Sequence, residues 1–178
     1  ANKWWGLNIC PRSVIIVAGD SPADALTASV LSDPTDGSSE PYLRRVAAAD
    51  PFFDPVGGYK RVDTVRAPIL VTKSARSGAV KLTIATRLSA QDLRNGGCKT
   101  ARDAIIVGGE KAVPVEVETE LLSIGYSEVF RVAGVNRYVT ASAVARSVGT
   151  SASSPSDTKC FDESSLDGDS RMHFYANS

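Results

Sequence analysis

The chain has 178 residues, enough for one domain that buries a core without help from metals. Its 43 % hydrophobic and 22 % charged residues are typical of a globular protein, and no apolar run approaches the roughly 20 residues of a membrane span. Twenty basic residues balance twenty acidic ones, which excludes a net positive electrostatic field that would attract nucleic acid. Thirteen of the basic residues are arginines, whose planar guanidinium groups suit a local anion-binding site.

Four short apolar runs, rich in β-branched residues, recur along the chain. They occupy residues 13–19, 67–72, 103–109 and 128–134. Continuous rather than alternating apolarity is typical of strands that are covered on both faces, as in a parallel sheet. The sequence therefore predicts an α/β fold with a doubly wound, mostly parallel sheet flanked by helices.

Helical patterns follow the first two runs. After the first run, Ala25, Leu26, Ser29 and Val30 recur along one side of a predicted helix. After the second run, residues 79–88 alternate like a strand, and the next stretch is typical of a short helix that ends near residues 95–96.

The last two runs are also followed by helical patterns. Pro114 stands at a predicted N1 position, and Gly125 is placed to end that helix. Asn136 is placed to cap the final helix. The side chains that recur at helical spacing in this helix are Tyr138, Ala141, Val144, Ala145 and Val148.

Two segments interrupt the alternation of strands and helices. Residues 34–66 form an insertion that greatly exceeds an ordinary connection, with a short predicted helix over 42–50 and an adjacent aromatic pair, Phe52 and Phe53. Residues 150–178 are polar and loop-like, with a possible edge strand at the end. We therefore expect an α/β module over residues 1–149 and a polar extension over residues 150–178.

Ser21 permits two interpretations. In "GDS" it resembles the nucleophile of some secreted esterases, and His173 is the one histidine available as its base. However, the position three residues before His173 holds a serine rather than the acid of that hydrolase family. Ser21 also fits a helix N-cap, with Pro22 at N1 and the Asp24 carboxylate reaching back to the Ser21 amide. The cap interpretation is favoured.

The sequence predicts no metal or cofactor site. Cys10, Cys98 and Cys160 lie too far apart for a zinc motif, and the glycines at 108–109 lack dinucleotide-binding spacing. Cys10 and Cys98 each precede an apolar run, so they would lie at the same end of a parallel sheet. We expect them to pair in a disulfide, with other pairings and reduced thiols left open.

Four blocks in order carry a family resemblance. They are VIIVAGDSPADALTASVL, APILVT, AIIVGGEKAVPVEVETEL and VFRVAGVNRYVTASAVA, within residues 14–148. They resemble the cell wall-binding repeat type 2 family, and the most specific block is G-x-N-R-Y at residues 134–138. The chain departs from the family pattern by holding one module and by insertions at 34–66 and 74–88.

The resemblance implies a non-catalytic module, secreted to the cell wall or surface of a Gram-positive bacterium. Such modules grip an anionic cell-wall polymer such as teichoic acid, or a peptidoglycan-associated glycan. They usually occur as three tandem modules, so neighbouring modules or a homotrimer are further implied partners. The start without Met or a signal peptide indicates a processed or excised chain. The family's ligand block maps here onto Pro68, Ile69, Leu70 and Arg137.

The residues themselves place a binding site at the carboxyl edge of the sheet, where parallel sheets bind ligands. Its expected members are Asp20, Ser21, Lys73, Gly109, Asn136 and Arg137, with Lys73 and Arg137 supplying charge and helix N-termini supplying amide donors. Arg137 has a second interpretation, as a buried arginine bonded to backbone carbonyls. Two other functions stay open: a hydrolase that uses Ser21 and His173, and a structural module that homo-oligomerises through residues 34–66.

Overall fold

Each of the four apolar runs forms a strand of one parallel sheet. The computed structural model describes residues 10–32, 41–44, 59–96 and 101–149. Its elements, in chain order, are β1 (Ser13–Ala18), α1 (Pro22–Ser32), β2 (Tyr42–Arg44), β3 (Tyr59–Arg61), β4 (Ile69–Thr72), a 3₁₀ turn (Ala75–Ser77), α2 (Ile84–Asn95), β5 (Asp103–Val107), α3 (Glu116–Ile124), β6 (Glu128–Val132) and α4 (Arg137–Gly149).

The strand order in the sheet is β4-β1-β5-β6, and all neighbours run parallel. Ile16 of β1 pairs in register with Leu70 on one side and Ile106 on the other. Every residue of β1 and β5 is buried, whereas β4 and β6 retain partly exposed positions. The predicted α/β class and parallel sheet are confirmed.

Helices cover both faces of the sheet. One core cluster joins the sheet to α2 and α3, and the other joins it to α1 and α4. This is the doubly wound arrangement that the sequence predicts. The helix residues that fill these clusters are Ala90, Leu93, Val117, Leu121 and Ile124 on the first face, and Ala28, Leu31 and Val144 on the second.

The predicted strand over residues 79–88 is wrong, because α2 begins at Ile84. Thr83 caps the helix, since its Oγ1 accepts a hydrogen bond from the Thr86 amide at 3.3 Å. Thr86, Ala90 and Leu93 then face the core at helical spacing. The Thr86 hydroxyl donates to the Val71 carbonyl of β4. This bond ties α2 to the outer strand β4, and an outer strand covered by a helix is protected from pairing with another chain.

The residues that recur along one side of α1 do not form its buried face, although Ala25 packs against the core. Leu26 is 73 % exposed and Val30 is exposed, while Asp24, Ala28 and Leu31 face the core. The helix is rotated because the Asp24 carboxylate lies inward against the end of β5, as described below. Gly125 ends α3 as predicted, with the left-handed φ of 112° that glycine adopts without strain.

The insertion at 34–66 contributes β structure to the domain. β2 and β3 pair antiparallel, so the helix predicted over 42–50 is wrong at its first three residues. Leu43 and Val62 are buried in the core cluster under α1 and α4. The pair Phe52–Phe53 lies outside the described residues, and so does the extension 150–178 with His173.

Tyr126 links α2 to the end of α3. Its hydroxyl donates to the Ala90 carbonyl at 3.0 Å. Burial raises the pKa of the Tyr126 hydroxyl above its ordinary range, so this group stays neutral in the folded protein.

Cys10 packs against the core beside α2 and α3, and its sulfur is disulfide-bonded. Cys98 and Cys160 lie outside the described residues, so the pairing of Cys10 with Cys98 stays a prediction. In the described parts of the chain, no helix is both long enough and apolar enough to cross a membrane.

Candidate functional site

The carboxyl edge of the sheet carries the predicted site, but the strand order spreads its members along a row. Lys73 follows β4 and Arg137 follows β6, and these are the two outer strands. Three strand spacings of about 4.8 Å separate the ends of these strands by roughly 14 Å. The structure therefore brings Asp20, Ser21 and Gly109 together at the centre and leaves the two cations at opposite ends.

Ser21 closes the first turn of α1. The Asp24 and Ala25 amides donate to the Ser21 carbonyl at 3.1 and 3.2 Å, and the Ser21 hydroxyl donates to Asp24 Oδ2 at 2.6 Å. The Ser21 amide donates to the Ala18 carbonyl at 3.2 Å, not to Asp24 as predicted. Ser21 thus occupies the predicted position before Pro22, but the predicted side-chain cap is wrong, because the Ser21 hydroxyl donates to a carboxylate rather than accepting from a helix amide.

Asp24 fills the crevice between the ends of β1 and β5. Its side chain is nearly buried, at 6 % exposure for the residue. A Cβ on Gly108 would lie 3.2 Å from Asp24 Oδ2 and 3.0 Å from the Ala112 Cβ, and Gly108 has a φ of 117°. Both facts require glycine there. This crevice is the topological switch point of the sheet, where α/β folds commonly bind ligands, and here the protein's own carboxylate occupies it.

A second carboxylate at the centre of the edge is also bonded within the protein. Asp20 Oδ2 accepts a hydrogen bond from the Ser74 hydroxyl, and the Ala75 amide donates to the Ala112 carbonyl at 3.3 Å. These bonds hold the loops after β4 and β5 together across the end of β1. Within the described ranges, no group of three or more acidic, histidine or cysteine side chains is arranged to hold a metal ion.

The turn between β6 and α4 is braced in a different way. Asn136 Oδ1 accepts from the Tyr138 and Val139 amides, both at 3.0 Å, which confirms Asn136 as the predicted cap. The Gly134 amide donates to Thr140 Oγ1 at 3.0 Å. A Cβ on Gly134 would lie 2.4 Å from Val139 Cγ1, so the turn packs directly on the helix.

The side chains on this turn point outward. Val135 is 93 % exposed and Tyr138 is 71 % exposed, so Tyr138 does not share the buried face of α4 with Val144, with which it recurs at helical spacing. Arg137 is exposed as well, which overturns its interpretation as a buried bridge to carbonyls. The Tyr138 and Val139 amides are already bonded to Asn136, so a ligand at this turn meets mainly side chains.

Arg131, which sequence reasoning missed, is the buried arginine that bonds to carbonyls. Its Nε lies 2.5 Å from Glu118 Oε1, and the two side chains are 12 % and 11 % exposed. Its guanidinium also donates to the carbonyls of Gly108, Val113 and Pro114 at 2.8, 3.0 and 3.4 Å. Arg131 therefore holds the loop between β5 and α3 in place. The available signal was a charged residue inside an apolar run.

The remaining predicted ligand residues contribute to the sheet and its loops. Leu70 is buried in the core, Ile69 is half-buried, and the Pro68 carbonyl accepts from the Ile15 amide at 2.9 Å. The Gly109 carbonyl accepts from the next turn, at the amides of Ala112 and Val113. A ligand-binding role for these residues stays a prediction.

Five exposed cations lie at or beside the carboxyl edge, in its loops or at the start of a helix. None of their side chains forms a hydrogen bond or ion pair with another of the residues that the structure describes. They are Lys73, Arg76, Lys81, Lys111 and Arg137.

A shallow groove lies between α2 and α3. Its volume is about 340 Å³, and Lys81 contributes to its lining. Glu120 crosses the groove, with Oε1 3.6 Å from Arg87 Nε and Oε2 accepting from the Leu82 amide at 2.8 Å. The two helices are thus tied together beneath it.

Comparison with known proteins gives a shared fold. No family model and no curated protein matches the chain. Among solved structures, Cwp6 from Clostridium difficile matches at a TM-score of 0.50 and 20 % identity over 79 % of this chain and 16 % of that one. Cwp8 from Clostridium difficile matches at a TM-score of 0.44 and 24 % identity, over 75 % of this chain and 15 % of that one. The chain thus spans about one-sixth of the length of each, and its α/β fold is that of part of the cell wall protein Cwp6.

Proposed function

We propose that this chain is a non-catalytic module that attaches to an anionic polymer of the cell envelope through the carboxyl edge of its sheet. The observation that carries the proposal is the set of five exposed cations without partners among the described residues. The fold shared with the cell wall protein Cwp6 supports a location at the cell wall or surface. The resemblance of the sequence blocks to cell wall-binding repeats supports the same function.

The positions of these cations favour a linear ligand. Lys73, Arg76 and Lys111 belong to two loops that the bond between Ala75 and Ala112 joins, and Arg137 lies at the far end of the row. The intervening centre holds the carboxylates of Asp20 and Asp24, which repel a compact polyanion. A polymer with spaced anionic groups reaches both ends without placing charge over the centre.

Binding by such a row is weak at each contact. Exposed ion pairs contribute little individually and are screened by salt. Firm attachment therefore needs several contacts on one polymer, supplied by neighbouring modules or further copies of the chain. The chain's net charge of zero makes the interaction local rather than a general attraction to polyanions.

The test is a titration of purified wall teichoic acid into the protein. Wild type binds in low salt, and binding weakens as salt is added. The triple variant Lys73→Ala, Arg76→Ala, Lys111→Ala loses affinity by about tenfold or more, because it removes charges that face the polymer. Arg102→Ala is the matched control, since Arg102 is exposed beside the start of β5, at the opposite edge of the sheet. Equal loss in the control and the triple variant, or no binding by wild type, contradicts the proposal.

A further inference from the structure

We infer that Val135, Arg137 and Tyr138 form a platform on which a sugar ring stacks while Arg137 holds an anionic group of the same polymer. This rests on the proposed function and deepens it, because it narrows the ligand to a glycan whose rings carry or adjoin carboxylate or phosphate. The platform lies at the turn between β6 and α4, at one end of the carboxyl edge.

The exposure of Tyr138 is the first observation. Tyr126 and Phe130 are buried in the core, as large aromatic side chains in a folded domain usually are, whereas Tyr138 is 71 % exposed. Val135, three residues earlier, is 93 % exposed. An exposed ring and an exposed aliphatic side chain on the same turn offer apolar surface that suits the C–H face of a pyranose, and the phenol hydroxyl can bond to a sugar hydroxyl.

The second observation is how firmly the turn is held. Asn136 bonds to two amides of the first turn of α4, and Thr140 accepts from the Gly134 amide. Gly134 packs so closely on Val139 that no side chain fits there. A platform fixed in this way loses little freedom on binding, and this increases affinity.

The third argument is the direction that helix geometry gives to the two larger side chains. Side chains in a helix lean toward its N-terminus, and α4 begins at the carboxyl edge. Arg137 and Tyr138 are the first two residues of α4, so both lean toward the row of cations. The arginine fork binds carboxylate or phosphate with two hydrogen bonds, and the ring stacks on the adjoining sugar.

The test compares a polyanion that has sugar rings with one that has none. Polygalacturonate and polyphosphate are titrated into wild type, Tyr138→Ala, Tyr138→Phe and Arg137→Ala. Tyr138→Ala loses roughly three- to tenfold in affinity for polygalacturonate, as expected for a lost aromatic stack, and keeps its affinity for polyphosphate. Tyr138→Phe keeps most of the affinity for both, because the ring remains. Arg137→Ala weakens both.

Leu26→Ala is the matched control, because Leu26 is equally exposed but lies on the solvent face of α1. It leaves both affinities unchanged. If Tyr138→Ala binds both polymers like wild type while Arg137→Ala weakens both, the platform is overturned and the proposed function stands. Equal weakening of both polymers by Tyr138→Ala also overturns the platform. If wild type binds teichoic acid but neither of these polymers, the platform is overturned and the proposed function stands; if it binds none of the three, both fail.

Discussion

The turns that lead into α1 and α4 begin in the same way and end differently. Each follows a parallel strand at the same edge of the sheet, and each starts its helix with a polar residue, Ser21 in one and Asn136 in the other. In the first turn, the Asp24 carboxylate folds inward and is buried. In the second, Arg137 and Tyr138 face solvent.

The position of each strand explains the difference. β1 lies between β4 and β5, so the side chains after it meet two neighbouring loops and find internal partners in Ser74 and against Gly108. β6 is an outer strand of this sheet, so the start of α4 has a neighbouring loop on one side. A helix cap alone therefore does not identify a binding site. What matters is whether the residues beside the cap have partners inside the protein.

The largest effect is expected at Arg131, which holds the loop between β5 and α3, next to Asp24. Arg131→Ala leaves the Glu118 carboxylate buried without its partner and frees the loop under Asp24, so it lowers the free energy of unfolding by about 3–5 kcal/mol. Urea unfolding followed by far-UV circular dichroism measures this. Arg137→Ala, which removes an exposed arginine, stays close to wild type. A value for Arg131→Ala within the error of wild type would show that the buried pair does not brace the edge.

The next effect compares Gly134 in the turn before α4 with Gly109 in the neighbouring loop after β5. Gly134→Ala places a Cβ 2.4 Å from Val139 Cγ1, and we expect overpacking to cost about 1–3 kcal/mol of stability. Gly109→Ala is the control, because its nearest contact would be the Gly134 carbonyl oxygen at 3.9 Å. Thermal unfolding of both variants decides the point. Similar midpoints would mean that the turn before α4 yields easily, which removes the rigidity assigned to the platform.

The parts of the fold that follow from local patterns were predictable. Continuous apolar runs gave all four strands of the sheet, since strands buried on both faces need no alternation. Gly125 marked the end of α3 and Asn136 the start of α4, because both act on the backbone next to them. Lys73 and Arg137 were placed at the carboxyl edge because all four strands run parallel.

The features that depend on contacts between residues far apart in the chain were not predictable from the sequence. The small side chains of α1 fit several faces, and the contact of Asp24 with Gly108, far along the chain, selects the buried one. The partner of Arg131 is Glu118, which lies in a different element, α3. The local sequence around Arg131 therefore could not identify this ion pair. The distance between Lys73 and Arg137 required the strand order, which the sequence pattern does not contain.

The smallest effect tests the two cap residues directly. Asn136→Ala costs about 1 kcal/mol of stability, because two amides of the first turn of α4 lose their acceptor. Ser21→Ala costs a similar amount, about 1 kcal/mol, because the buried Asp24 carboxylate loses the hydroxyl that donates to it. If Ser21 has no catalytic role, wild type also leaves p-nitrophenyl acetate and a fluorophosphonate probe unreacted. Ester turnover lost in both Ser21→Ala and His173→Ala would instead establish a hydrolase. The turn before α1 would then carry the functional site, rather than the turn before α4.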